Sequence, residues 1–565
     1  MQKSKLLTAI PLLVVLVGAG CGGSSSLRTW HVDSLVKVFP DDKPGTNELS
    51  DKTWLVARNG HVNVQVALRS EKAIPQLRVE LKAPENDGKK LEAEARWVEY
   101  VPIGSNPPGT PFDELVRPAP GLFPDPLMET WPFALKAAIT QPVWVTVHAP
   151  ADAQPGEYKG EVTFFAGQER LKSVDFTVRV TAAAVPAEQK LKVTNWFNFS
   201  YDPATPDLRL HYKIDPYSDK HWELLGNLGR VMAAHKQNVI LTPVMALAKP
   251  SVAGGAIRYD FSLFDKWVET FQKAGLVGTI EGGHLLGRSG GFFTPMVVPA
   301  YVIEGGRIVQ KGLDTDDPRA EQFLGSFLTA LYAHLKEKGW EKQYIQHVHD
   351  EPHDREAAIY NRYSKIIHKY LPGVPTIDAV GLDQDISFFA DVCDIWVPVL
   401  SSFDHQLDKM RAHVEKGGQA WFYTCIGPQG RYLNRFTDLP LVKTQLLHWF
   451  NFRYDLTGFL HWGGSSWGPK PFQNVQTVIN DNRTLLPAGD NAIVYPNAEK
   501  LSVLSSIRLE AMREGIEDYE LLVALAGKDQ AKAKGLAKTA IPNINDYVRD
   551  VPAFRKLQRQ LLEAF

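Results

Sequence analysis

At 565 residues the chain is too long for one ordinary core, so two or three domains are expected. Hydrophobic residues make up 44% and charged ones 22%, an ordinary globular balance. A formal net charge of -2 excludes the basic field that nucleic acid or an anionic membrane surface selects. The 14 Trp and 18 Tyr supply aromatic faces that suit the C–H faces of sugars as well as protein cores.

The first segment reads as a targeting signal. Lys3 and Lys5 precede an apolar run over 6–17, and Gly18-Ala19-Gly20-Cys21 follows. The run is too short to span a bilayer comfortably and predicts a cleaved export signal over 1–20. Small residues directly before a Cys resemble a bacterial lipobox, which makes Cys21 the expected lipid-attachment residue. Residues 21–26 are then a Gly/Ser tether, and the protein is expected as an exported lipoprotein of the cell envelope. Its membrane contact would be through that anchor alone. The alternative is a plain signal peptide with an incidental Cys. The two other cysteines, Cys393 and Cys425, are expected as buried thiols, because neighbouring parallel strands would hold them about 20 Å apart.

Residues 27–188 predict a β-sandwich. Runs at 62–68, 77–81, 143–148, 158–164 and 174–180 alternate apolar and polar residues, with turn chemistry at 150–156. Ala-rich 181–187 reads as a joint. Beyond it the rhythm changes to strands and helices in alternation. Strands are expected at 193–199, 239–242, 277–281, 344–351, 376–380, 395–399, 420–424 and 458–462. Helices fall at 222–235, 264–274, 321–338, 355–370, 405–416 and 440–453. Eight strands with helices between them predict a (β/α)8 TIM-type barrel over 189–485. A Gly-rich excursion follows the third strand to about residue 315. A small extension over 486–565 is expected to pack on the barrel, with a strand at 492–496 and an amphipathic helix at 505–522.

Asp350 and Glu351 close the fourth strand of this scheme, at the barrel rim where such folds place their chemistry. Two adjacent carboxyls in different environments can hold one proton near neutral pH while the other stays ionised. Glycoside cleavage needs that division of labour.

Asp350-Glu351-Pro352 is similar to the acidic pair of glycoside hydrolase family 123. The segments 423–434, 446–449, 458–462 and 506–519 resemble that family's catalytic domain, and Pro155-Gly-Glu-Tyr-Lys-Gly160 resembles a turn of its N-terminal sandwich. The resemblance covers nearly all of the mature chain. It implies a retaining β-N-acetylgalactosaminidase in which the substrate's own 2-acetamido oxygen attacks the anomeric carbon. Glu351 would then be the general acid/base, and Asp350 would hold and polarise the acetamido N–H.

Around the pair, Tyr423, Trp462, His284, Asn434, Asp378 and His349 are candidate substrate contacts, each with packing as its alternative. His347, His349, His353 and Asp354 crowd the pair, but no closed ligand set appears, so no metal and no cofactor is expected. Arg508, Glu510 and Arg513 are expected to serve domain packing. The expected partner is a glycan with a terminal β-N-acetylhexosamine, N-acetylgalactosamine before N-acetylglucosamine. The alternatives are a glycosidase on another sugar that recruits a distant carboxylate, and a non-catalytic glycan-binding lipoprotein.

Overall fold

In the N-terminal β domain one sheet orders Arg28–Val32, Gly60–Arg69, Thr140–Ala149, Glu92–Ile103 and Gly121–Met128. A second orders Thr53–Arg58, Glu169–Ala184, Gly156–Ala166, Ile74–Asn86 and Lys89–Lys90, with Phe133–Leu135 beside Ile74–Asn86. Alternation explains why the two sheets meet. Val62, Val64, Val66 and Leu68 share one face with Val143, Val145 and Val147, and they pack against Val162, Phe164, Phe176 and Val178 of the other sheet. The computed structural model describes residues 27–197, 208–276, 278–381, 384–478 and 484–565. The expected signal, the tether and Cys21 lie outside the described residues. Among those described, no helix is long and apolar enough to cross a membrane.

The second half of the chain is built on eight parallel strands: β1 Lys192–Asn195, β2 Val239–Thr242, β3 Thr279–Gly282, β4 Tyr344–His347, β5 Thr376–Val380, β6 Ile395–Pro398, β7 Gln419–Tyr423 and β8 Gly458–His461. Their spatial order is β1-β8-β7-β6-β5-β4-β3-β2, so the sheet curls until β1 and β2 meet again. No ladder joins that last pair. Asn238 bridges it instead: its backbone N–H donates to the Val193 carbonyl (3.3 Å) and its side chain accepts the Val193 N–H (2.9 Å).

Inside the barrel, Ile345, Ile377, Ile395, Val397, Trp421, Tyr423 and Leu460 form a small core of their own. The intervening Ile240, Ile280, Tyr344, Trp396, Phe422 and Phe459 join the large outer core. Inward and outward residues thus alternate along the strands, as a closed sheet requires. Gly458 opens β8 without a side chain because a Cβ there would stand 2.2 Å from the Trp421 ring.

Helices α1 Asp219–Ala234, α2 Ser262–Lys273, α3 Pro318–Lys338, α4 Ala357–Tyr370, α5 Phe403–Glu415 and α6 Leu441–Arg453 cover the strands. The regular (β/α)8 expectation is corrected at one step: only a 3-10 turn, Ile386–Phe389, lies between β5 and β6. The eighth helical position belongs to α7, Ile507–Ala526. It crosses α6 so closely that a Cβ on Gly515 would stand 2.3 Å from the Gln445 carbonyl oxygen. Its Glu520 accepts the N–H groups of Lys190 and Leu191 (both 2.9 Å), tying the end of the barrel to its beginning. Helices α8 Gln530–Ala540 and α9 Val551–Leu562 follow.

Other expectations shift in detail. The excursion after β3 contains an antiparallel hairpin, Met296–Glu304 with Arg307–Asp314. The strand expected at 492–496 is Tyr495–Asn497, paired with Ser502–Leu504. Both Cys393 and Cys425 are free thiols; Cys393 is buried, but Cys425, two residues past β7, is only partly so.

The outer face of the five-stranded sheet docks on α7 through a buried ionic layer. Arg508 donates twice to Asp125 (2.9 and 2.7 Å). Glu510 accepts from Arg96 (2.8 Å), His235 (3.0 Å), Ser505 (3.1 Å) and Arg513. Asn63 donates to Glu514 (2.7 Å), and His61 faces Glu517 (2.7 Å). These contacts give Arg508, Glu510 and Arg513 the packing role read from the sequence.

Candidate active site

β4 ends at His347, so Asp350 and Glu351 stand beyond the strand rather than on it. The strand's alternation therefore does not extend to His349, which turns toward the excursion loop, its Nδ1 3.3 Å from the Leu286 carbonyl. Glu351 has φ +39°, a left-handed conformation unusual for a residue with a side chain. Strain of this kind persists where surrounding contacts over-determine it. Two such contacts are present. The Tyr423 hydroxyl, at the end of β7, donates to Glu351 Oε1. Arg288, from the excursion, donates to the Glu351 carbonyl (3.3 Å) while gripping Glu356 (2.8 and 3.3 Å). Glu356 in turn accepts the His353 N–H (2.9 Å), which pins the segment just past the pair.

Burial raises the Glu351 carboxyl above its ordinary range, against the opposing pull of Tyr423. Asp350 is pushed up to about 7, first by loss of solvation and then by the charge of Glu351. Its side chain keeps 51% exposure, so water at the mouth moderates that rise. Both carboxyls are held high, and one proton can remain on the pair near neutral pH.

Beneath them lies a buried set of ionisable groups. His347 faces Asp378 through Nδ1 (2.9 Å) and Glu281 through Nε2 (2.8 Å). With both carboxylates ionised, only a doubly protonated ring satisfies both contacts. Burial alone would lower the imidazole, but its hydrogen bonds to Asp378 and Glu281 outweigh that and hold it up to about 10. Burial also pushes Asp378 up, against the pull of His347. The two shifts compete for one proton, and the two-sided geometry assigns it to the ring. Glu281 is completed by Thr194 (2.7 Å) and by the indole N–H of Trp196 (2.9 Å), one residue past β1. Asp378 also accepts from Tyr360 (2.7 Å) and the Val348 N–H (2.9 Å).

His284 sits over this set, its Nε2 4.0 Å from Asp350 and 3.8 Å from Asp378, beyond direct hydrogen-bond range. Burial, followed by the neighbouring His347 and His349, keeps it neutral, well below its ordinary pKa. His284, His347 and Asp378 present ligand atoms within 4.8 Å of one another, close enough for a cation. Both nitrogens of His347 already face carboxylates, so the ring has no lone pair to offer, and the set fits a hydrogen-bond network better than a metal.

An open cleft of about 940 Å³ adjoins Asp350, lined in part by Met245, His284, Arg288, Phe292, Tyr301 and His349. His349 is lowered to about 4, by burial and then by Arg288.

Of the expected site residues, the structure brings Asp350, Glu351, Tyr423, His284 and His349 together. Trp462 stands half-buried one residue past β8, near Asp490. Asp378 and Asn434, expected at the substrate, are both fully buried, which corrects them to supporting positions. Asp378 orients His347, and the Asn434 amide donates to the Cys425 and Pro428 carbonyls (both 3.0 Å), fixing the loop after β7. Tyr423, a candidate substrate contact, donates to Glu351. Sequence reading passed over Trp196 and Arg288. Trp196 falls inside the strand expected at 193–199, and only the shorter observed strand, ending at Asn195, frees it for Glu281; nothing local marks Arg288 inside the excursion.

The model of the glycoside hydrolase 123 catalytic domain matches residues 207–525, and that of the glycoside hydrolase 123 N-terminal domain matches 37–165. Among solved structures, a family 123 glycoside hydrolase from Clostridium perfringens, studied for glycolipid glycan hydrolysis, superposes with a TM-score of 0.71 at 18% identity. The match covers 95% of this chain and 96% of that one. A family 39 glycoside hydrolase from Bacteroides cellulosilyticus reaches only 0.36 at 10% identity, over 83% and 82% of the two chains. No curated protein gives a significant match. The catalytic-domain match spans more than half of the chain and contains the Asp350–Glu351 rim, so the protein belongs to glycoside hydrolase family 123.

Proposed function

We propose that this glycoside hydrolase releases a terminal β-linked N-acetylhexosamine, N-acetylgalactosamine first, with retention and by assistance from the substrate's own acetamido group. One observation carries the reading. Asp350 and Glu351 reach the rim side by side with raised pKa values, while Glu281, Asp378 and Asp490 near the neighbouring strand ends are fully buried. A double displacement with an enzyme nucleophile needs a second carboxyl about 5 Å away across the anomeric carbon. Adjacent carboxyls serve a different division of work. Glu351, whose carboxyl burial raises, gives a proton to the leaving oxygen and later takes one from water. Asp350, once ionised, accepts the acetamido N–H, which makes the amide oxygen more nucleophilic and stabilises the positive charge of the cyclised intermediate. The His347 imidazolium below favours the ionised form of Asp350. Tyr423 sets the Glu351 rotamer in the free enzyme.

Proton NMR of the first-formed anomer from a nitrophenyl β-N-acetylgalactosaminide tests this. Release of the β-anomer is expected, and release of the α-anomer would contradict it. The lipobox-like segment supports anchoring through Cys21. Cys21→Ala should move the protein from the membrane fraction to the soluble one, and unchanged partitioning would refute the anchor.

A further inference from the structure

The segment just past Glu351 carries an aromatic surface that the acid/base chemistry does not use. Phe292 and Phe293 stand at the tip of a turn closed by three hydrogen bonds: Gly290 N–H to Thr294 Oγ1 (2.9 Å), Thr294 N–H to the Gly291 carbonyl (2.9 Å) and Thr294 Oγ1 to that carbonyl (2.7 Å). The Phe293 ring lies parallel to His353, 7° between planes and 5.8 Å between centroids, and Phe293 remains 67% exposed. Phe292 meets His353 edge-on at 5.2 Å, and the Arg288 guanidinium sits 5.0 Å above the Phe292 ring. Arg355 donates to the Phe293 carbonyl (3.1 Å).

A single exposed Phe needs no explanation by itself. This one lies parallel to and offset from the ring of His353, which follows the proton donor by two residues. Arg288 ties the Phe292 side of the surface to the Glu351 carbonyl. Arg288 and His353 thus tie this surface to the short segment that carries the acid. The glycosidic oxygen must reach Glu351 to be protonated, so the sugar that leaves with it lies within one ring of that carboxyl.

We propose that Phe293, backed by His353, is a stacking platform for the leaving-group pyranose, the sugar attached through the oxygen that Glu351 protonates. The assignment rests on the role of Glu351 given under Proposed function. The apolar C–H face of a pyranose complements an aromatic ring held flat, and the ring edge tolerates the hydroxyls around it.

The test compares two substrates in the full chain. One is a disaccharide with β-linked N-acetylgalactosamine on a second pyranose. The other is methyl β-N-acetylgalactosaminide, which has no leaving pyranose. Phe293→Ala should lower the ratio of kcat/KM on the disaccharide to that on the methyl glycoside about two- to tenfold, the range that aromatic contacts supply. Phe293→Tyr should restore the ratio. The methyl glycoside also reports that the variant is folded. An unchanged ratio in Phe293→Ala, with wild type active on both substrates, overturns the platform and leaves the function standing. A wild-type enzyme that cleaves neither substrate overturns the functional reading and the platform with it.

Discussion

Carboxylates crowd two regions of this molecule, and Glu510 in one is held in the opposite sense to the rim pair in the other; Glu514 beside it, with fewer donors, is itself pushed up to about 7 by burial. In the layer between the β domain and α7, Glu510 is completely buried, yet Arg96, His235, Ser505 and Arg513 all donate to it. Burial would raise its pKa, but Arg513, Arg96 and His235 outweigh that and hold it well down. At the rim, Glu351 keeps one strong side-chain donor and Asp350 stands half exposed beside a second carboxyl, and both are held up. A carboxylate given every partner it can use is fixed in one charge state and serves the fold. One left short of partners can exchange a proton, which is the property a general acid needs.

The sharpest break in this comparison is Glu351→Gln. Removing the acid should lower kcat on natural β-glycosides by about 10²–10⁴, with a smaller loss on substrates whose leaving group needs no proton. Steady-state kinetics on both kinds of substrate checks this, and equal losses would point to another acid. The opposite kind of loss is expected from Glu510→Ala. Truncating one member of a buried ionic set typically costs about 3–5 kcal/mol of stability because the partners stay buried and unpaired. Denaturant unfolding should show that loss while the folded fraction keeps its turnover. A Glu510 variant that is stable but inactive would mean that the two regions are not separate.

Asp350→Asn should act on a smaller scale. An N-acetyl thiazoline mimic of the cyclised intermediate should bind more weakly by about 1–2 kcal/mol, because a charge-assisted hydrogen bond becomes a neutral one. Calorimetric titration reads this directly, and equal affinity would remove Asp350 from the acetamide.

The smallest effects are in pH and stability. A carboxyl raised in the folded state binds more protons than in the unfolded chain, so its cost is present above its folded pKa and disappears below the unfolded value near 4. Glu351→Gln and Asp350→Asn should therefore raise Tm at pH 8 more than at pH 4. His347 has the other sign. Its folded pKa, about 10, lies above the ordinary value, so its stabilisation is complete below about 6.5 and is lost as pH rises through 10. His347→Gln should flatten that alkaline decline in thermal melts.

The sequence made much of this arrangement legible. Short, largely apolar runs separated by amphipathic helices located β2, β5 and β8 nearly to the residue, because strands buried on both faces carry few polar residues, Asp378 in β5 being one. Asp350 and Glu351 were visible as a pair followed by Pro. The excursion was less legible although it held a signal: Gly305 and Gly306, both with positive φ, join two alternating runs as a hairpin turn. The buried set was not readable, since Glu281, His347 and Asp378 meet from three strands and only the barrel's closure brings them together. For the same reason Asp378 and Asn434 read as substrate contacts. A polar residue near a strand end gives no sign of whether it faces the pocket or supports the residues that do.

In the proposed reaction the substrate's acetamido group does the work of an enzyme nucleophile. Hydrolysis of matched nitrophenyl β-N-acetylgalactosaminide and β-galactoside tests it most directly, since the two differ only in that group. Turnover of the first and near-background rates on the second are expected. Cleavage of the β-galactoside at a comparable rate would contradict it and would move the search for a nucleophile to a carboxylate on another strand end.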